Sequence, residues 1–382
     1  MAVTRPTSKT ILKKYAKLLT DYCLELKKGE NLYITSTPLA IPLIKEVYKE
    51  AIRMGVHVEI DLSFQDQNKI LLETGDEDIL KAIPLLKSTA IKTFDAYLAI
   101  RAPYSTKENQ SEDQNKAFIR QSAFKELNDI YFKRTADGSL KRSLCQFPTN
   151  ACAKEAGMSL KEYAEFIYQA CFLYSEDPAE SWRTVRKKQE VLVSFLNQTE
   201  KIRYKNDKTD ISFSVKGRKW INSDGRSNMP SGEVFTGPVE NSVEGFVYFD
   251  YPSIYMGHEV QGISLEVKEG QIVNWDAKKG KNILDQVFTV EGSKYFGEVA
   301  IGTNYQINKP TKNILFDEKI GGTIHMAIGQ SYLQTGGLNH SSIHWDMIAD
   351  MRKGGEIWAD EEIIYKNGYF LNGLDTHKDK SY

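Results

Sequence analysis

A strand, a helix and a second strand follow one another within residues 31–62, and no other feature restricts the fold of this chain so tightly. NLYITST (31–37) reads as a strand by its alternation, a helix is predicted from about Ala40 to Met54, where Gly55 ends it, and HVEIDL (57–62) reads as the next strand. Two strands joined through a helix lie parallel, so the first half is predicted to be an α/β domain built on a parallel βαβ sheet. AYLAIRA (96–102) and LCQFPT (144–149) are later strand candidates. Apolar positions three and four apart predict helices over 9–27, 116–127, 159–173 and 179–197.

Near residue 200 the periodicity changes. KIRYKN, DISFSVKG, GFVYFDYPS, GISLEVKEGQIVNWDA and GEVAIGTN are short alternating runs broken by glycine, the pattern of antiparallel β-structure. The second half is therefore expected to be mainly antiparallel β (α+β overall), with one helix near Thr323–Gln334. The boundary is placed close to Gln198, giving an α/β domain over 1–198 and a second, mainly β domain over 199–382. The polar tail from Thr376 to Tyr382 is expected to be disordered.

Composition excludes more than it assigns. Hydrophobic content of 41%, charged content of 26% and a net charge of −1 are those of a globular protein with no global electrostatic reason to bind nucleic acid. No apolar run reaches 18 residues, so no membrane span is predicted. The opening MAVTRPTSKT lacks the apolar core of a secretory signal, and four cysteines without a CxxC pair read as reduced residues of a cytoplasmic protein. GxGxxG and GxxxxGK[ST] are both missing, which leaves the βαβ half as a scaffold rather than a nucleotide site.

The candidate chemistry lies in the second half. SIHWDM (342–347) places His344 and Asp346 two apart, hence on one face of a strand, with Ile343, Trp345 and Met347 on the other. Such a pair serves equally as a salt bridge, half of a catalytic triad, or two ligands of one metal ion. Glu233 in PSGEVFTGP and Glu298 in FGEVAIGTN stand in apolar runs, where a carboxylate is costly unless paired or bound to a cation. Each follows a glycine, which permits close backbone approach. His325 lies in GGTIHMAIGQSY, with Tyr332 seven residues on, about two turns if the segment is helical.

Singly, each of these has an ordinary reading: a turn carboxylate, a packed imidazole, a core tyrosine. Together Glu233, Glu298, His325, His344 and Asp346 offer three carboxylates and two imidazoles, a mixture suited to a pair of zinc, cobalt or manganese ions. In such a pair one carboxylate and one water bridge the ions, and the water becomes a hydroxide near neutral pH. HEVQG (258–262) has glycine where a second zinc-binding histidine would stand, His340 and His377 have no evident partner, and Ser331, Ser341 and Ser342 lie in no GxSxG elbow.

MPSGEVFTGPVENSVEG (229–245), GEVAIGTN (297–304), FDEKIGGTIHMAIGQSY (316–332) and IHWDM (343–347) occur in an order that resembles the aminopeptidase T and aminopeptidase S family of dinuclear metalloaminopeptidases. The resemblance implies Glu233 and Glu298 as metal ligands, the latter bridging, with His325, His344 and Asp346 completing the set. It places Tyr332 at the metal centre and Glu318 at a further acidic position, a proton-shuttle candidate. Glu318 precedes His325 by seven residues rather than the five of the family pattern, and the interval from His325 to His344 is shorter.

The implied reaction removes one residue from the N-terminus of short peptides, using two divalent ions and a bridging hydroxide, with one ion on the free α-amine. A homodimer enclosing its active sites is implied as well. The alternatives are another metallohydrolase, amidase or dipeptidase-like, on the same site, and a non-enzymatic peptide-binding homologue.

Overall fold

A computed structural model describes residues 7–106, 113–255 and 257–374. The tail from Thr376, with His377, lies outside the described residues. The chain forms two compact units, Met1–Ala179 with Gly225–Pro230, and Glu180–Asp224 with Ser231–Tyr382.

The first unit is the expected α/β structure. Strands β1 (Asn31–Ser36), β2 (His57–Leu62), β3 (Ala96–Arg101) and β4 (Lys141–Gln146) pair in parallel in the order β2-β1-β3-β4, and β8 (Asn228–Met229) adds to β4. The first crossover is the helix Ile41–Arg53, whose buried Leu43, Ile44, Val47 and Ala51 recur at helical spacing. The first helix, Ser8–Lys17, is capped by the Thr7 side chain, which accepts from the Thr10 amide. Strand β4 begins and ends three residues earlier than LCQFPT suggests. Pro148 brings no amide to a ladder, and Thr149 caps the next helix by accepting from the Cys152 amide.

The second unit is mainly antiparallel. One sheet comprises β5 (Lys201–Asn206), β6 (Thr209–Ser214), β10 (Glu244–Phe249), β11 (Ser253–Tyr255), β12 (His258–Lys268), β13 (Gln271–Lys279), β17 (Glu356–Ala359), β18 (Glu362–Lys366) and β19 (Tyr369–Phe370). A second sheet has the order β16-β15-β14-β9-β7, from β7 (Ile221–Ser223), β9 (Glu233–Thr236), β14 (Phe296–Gly302), β15 (Thr323–Gly329) and β16 (His344–Asp350). Its neighbouring strands are all antiparallel. One face of this sheet carries Val234, Val299, Ile301, Ile324, Met326, Ile328, Trp345 and Met347 into a common apolar core, joined by Leu192 and Leu196 of the helix Pro178–Leu196.

The helix expected near Thr323–Gln334 is not there: Thr323–Gly329 is strand β15, followed by a short 3₁₀ turn at Leu333–Thr335. Thr323, His325, Ala327 and Gly329 alternate with Ile324, Met326 and Ile328, a period of two masked by the burial of both sets. Among the described residues, no helix is long and apolar enough to cross a membrane.

Candidate metal centre

The other face of the five-stranded sheet carries the polar residues. Cross-strand register sets Glu298 beside Ala327 and Ala327 beside Asp346, while Ala300 stands beside His325 and Gly302 beside Glu233. His344 faces Gly329. Each large polar side chain thus has an alanine or glycine for a neighbour on its own face, which leaves room for the polar groups to lean together.

One irregularity makes this possible. Phe296 pairs with Ile328 on the core face, and strict alternation would send Glu298 to that face too. A bulge at Gly297 shifts the register, so Glu298 pairs with Ala327 and turns to the polar face. A side chain at Gly297 would meet the Gln330 and Gly329 carbonyl oxygens, each 2.4 Å from the Cβ position. Gly232, before Glu233, has φ +109° and lies against Asn304, whose side-chain amide donates to the Ser231 carbonyl.

The side chains converge in two groups whose potential ligand atoms lie within 4.8 Å of one another: Glu233, Glu318 and His325, and Glu298, His344 and Asp346. Glu298 faces both. Its Oε1 is 3.6 Å from His325 Nε2, and its Oε2 is 3.2 Å from His344 Nε2. His325 Nε2 lies 3.5 Å from Glu233 Oε2, and His344 Nε2 lies 3.5 Å from Asp346 Oδ1. All five residues singled out by spacing are brought together, and Glu318 joins them from just beyond the short helix Ile314–Asp317.

Tyr332 reaches the same place by another route than a helix. Its ring packs edge-on against His344 at 5.1 Å between centroids and against Phe235 at 5.5 Å. His258, His340 and the serines Ser331, Ser341 and Ser342 belong to neither group.

The electrostatics are those of crowded acids around imidazoles. Burial opposes charging of the histidines, but Glu298 and Glu233 outweigh it and hold His325 up at about 9. Asp346 and Glu298 likewise hold His344 up at about 11. Burial raises Asp346, yet His344 more than offsets this and keeps it below the ordinary carboxylate range. Glu318 is raised to about 8 by burial, against the pull of Lys319 and with the push of Glu233. Partial burial, then the charges of Glu298 and Asp346, hold the Tyr332 hydroxyl well above the usual phenol range.

Three contributors have no motif to announce them. Lys319 is fully buried, with Nζ in contact with Glu318 Oε1 and 3.6 Å from Glu233 Oε1. Burial disfavours its charge, but the two carboxylates prevail and hold the ammonium above its ordinary range. The only signal was a lysine within an otherwise apolar and glycine-rich run after Asp317 and Glu318. Gln189, fully buried on the helix Pro178–Leu196, donates to Asn222 Oδ1, the Ser223 carbonyl and the Glu233 carbonyl, and accepts from Thr303. The Gln330 carbonyl lies 2.9 Å from His344 Nδ1, a bond that makes Nδ1 the protonated nitrogen and leaves Nε2 as the free donor atom.

The donor set fits a divalent cation. Glu233 Oε2 is buried and makes no hydrogen bond, an expensive state for a carboxylate oxygen, and it faces His325 Nε2 across 3.5 Å. Oxygen and nitrogen donors without thiolate match zinc, cobalt or manganese. Fold and site together define a metal-dependent hydrolase, with an α/β unit and a β unit whose sheet face carries the donors.

The chain belongs to the thermophilic metalloprotease (M29) family, which it matches over residues 8–370. It is 32% identical to Aminopeptidase AmpS of Bacillus subtilis (strain 168) over 404 residues, covering 94% of this chain and 97% of that protein. It is 26% identical to Aminopeptidase 2 of Geobacillus stearothermophilus, again over 94% of this chain and 97% of that one. The structure of wild-type AmpT from Thermus thermophilus superposes with a TM-score of 0.83 at 22% identity, over 96% of this chain and 100% of that one, a likeness of fold.

Proposed function

We propose that this chain is an aminopeptidase that removes single residues from the N-termini of short peptides, with one divalent cation held by Glu233, Glu318 and His325 and another by Glu298, His344 and Asp346. The observation that carries this reading is Glu298, whose two carboxylate oxygens face the two histidines of different groups. A bridging carboxylate has this disposition. The aminopeptidase names of the relatives support the substrate class.

Cations held there would supply Lewis acidity toward the scissile carbonyl and an acidified water. The chain's own residues supply position. His344 is locked by Gln330 so that Nε2 faces Glu298. Tyr332, held in its protonated form, donates to the oxygen that gains charge in the transition state. Glu318 acts as a ligand rather than as a proton shuttle, because one of its oxygens is already occupied by Lys319. The unit over Glu180–Asp224 and Ser231–Tyr382 is the catalytic one, and the α/β unit is scaffold.

A cytoplasmic location rests on four buried cysteines, none of them in a disulfide, and a homodimer rests on the family resemblance. Sedimentation at micromolar concentration that found only monomer would remove the dimer. The function itself is tested with chelator-stripped protein, zinc, cobalt or manganese added back, and leucyl anilide beside its N-acetylated form. Metal-dependent cleavage of the free substrate alone is expected. Cleavage of the acetylated form would instead make the chain an amidase-like metallohydrolase.

A further inference from the structure

Gln189 stands in a stripe of the helix Pro178–Leu196 that is otherwise apolar. Trp182, Gln189, Leu192 and Leu196 recur at helical spacing and are all fully buried. A primary amide there is costly unless each polar atom finds a partner. Its nitrogen donates to Asn222 Oδ1 at 2.6 Å, to the Glu233 carbonyl at 3.1 Å and to the Ser223 carbonyl at 3.2 Å, so two hydrogens serve three acceptors. Its oxygen accepts from the Thr303 hydroxyl at 2.9 Å. The two carbonyls can only accept, which fixes the way the amide is turned. Asn222 is turned to match, because its own amide donates to the Arg186 carbonyl.

These bonds meet where a ligand strand has least support of its own. Glu298, His325 and Asp346 each stand third in a strand of seven residues. Glu233 and His344 instead begin theirs, and β9 has only four residues. The ring of His344 is anchored by the Gln330 carbonyl. Glu233 follows Gly232, whose φ of +109° leaves the chain free to pivot, and its Oε2 makes no hydrogen bond. Its anchor lies on the backbone: Gln189 holds the Glu233 carbonyl, and Thr303, which bonds to Gln189, donates its amide to the Gly232 carbonyl. Both peptide groups flanking the Glu233 Cα are thus tied to one buried amide and its partner.

We infer that Gln189 is a positioning residue of the metal centre, acting through the Glu233 backbone rather than on cation or substrate. It fixes the start of β9 so that the Glu233 carboxylate stays aimed at His325 Nε2, 3.5 Å away. The inference rests on the metal-centre reading proposed above. A side chain's direction follows from its Cα–Cβ bond, so a backbone released at Gly232 carries the carboxylate away with it. Loss of an outer partner that orients a metal ligand costs about 10–100-fold in metal affinity.

Cobalt(II) titration of the chelator-stripped chain, followed by calorimetry and visible absorption, reads the centre without recourse to activity. Q189M keeps the length of the side chain and removes its hydrogen bonds. It is expected to weaken cobalt binding by about 10–100-fold and to change the visible spectrum. L265A, which hollows the same apolar core from β12, should lower Tm and leave cobalt affinity and spectrum as in the wild-type chain. A Q189M chain with wild-type affinity and spectrum would overturn the inference, as would an equal loss of affinity in L265A. Added to E233Q, Q189M should have no further effect, whereas full additivity would show that Gln189 does not act through Glu233. T303V removes the hydroxyl that Gln189 accepts from and serves if Q189M fails to fold: a changed spectrum is expected, and an unchanged one would overturn the inference. A wild-type chain that takes up no cobalt would overturn the metal-centre reading as well.

Discussion

Gly297→Ala is the smallest change that tests how the sheet presents its ligands. The new methyl group would stand 2.4 Å from both the Gly329 and the Gln330 carbonyl oxygens, where ordinary contact begins at 3.4 Å. Both obstacles are backbone, so no side chain can rotate away, and the strands must part by about 1 Å or the bulge must change shape. Overpacking of this kind costs about 1–3 kcal/mol. For a unit of this size the loss lowers Tm by roughly 2–12 °C. Glu298 is the next residue, so the strain falls on the carboxylate that faces both histidines. A misplacement of about 1 Å at a reacting centre costs on the order of 100-fold in rate. Leucyl anilide hydrolysis, metal content and thermal unfolding should therefore all fall together. Gly138→Ala is the control: nothing lies within 4 Å of its Cβ position, so although its φ of +78° strains the alanine and lowers Tm, activity and metal content should be unchanged. A Gly297→Ala protein with wild-type turnover and Tm would refute the account of the bulge.

Glu298→Gln should abolish activity and lower metal content, because a neutral amide does not replace a carboxylate shared by two cations; full activity with two tightly held ions would remove Glu298 from the centre. Tyr332→Phe should lower kcat by about 10²–10³, as loss of one oxyanion donor does, with KM little changed. An effect confined to KM would assign the hydroxyl to substrate binding instead. In the metal-free chain, His325 (about 9), His344 (about 11) and Glu318 (about 8) all sit above their ordinary values of 6.5, 6.5 and 4.5. Groups raised on folding stabilise fully below their unfolded values, and that stability is lost as pH rises through the folded ones. The Tm of stripped protein should therefore fall between pH 6.5 and 9, and added zinc should restore more at pH 9 than at pH 6.5. A flat or rising Tm across that range would contradict the crowding of acids and imidazoles described above.

The sequence was most informative where one local rule was enough. Strand, helix and strand within 31–62 dictated a parallel pair, and the spacing of His344 and Asp346 placed both on one strand face. Their partners stood out as carboxylates and an imidazole in apolar runs and then by motif order, since the register that joins Glu298, Ala327 and Asp346 is a long-range property no local pattern contains. His325 and Tyr332 show the limit from the other side. A strand buried on both faces has no polar alternation, so Thr323–Gly329 resembled a helix, and the seven-residue interval was read in the wrong period. The bulge at Gly297 was equally hidden, because only cross-strand pairing reveals that two residues oppose one. Lys319 and Gln189 look like ordinary polar residues of helical or loop segments until burial shows which carboxylates and carbonyls they hold.

Four strands that neighbour one another in the sheet, in chain order, carry five of the six candidate donors, and Glu318 adds the sixth from beyond a short helix. Only His344 with Asp346, and Glu318 with His325, stand near each other in sequence within one group, so an unfolded or half-made chain would offer a passing ion no more than a weak local pair. On the metal-centre reading proposed above, full metal acquisition would wait until the sheet has closed. A protein built this way would be loaded as a finished object, from the metal available after folding rather than during synthesis.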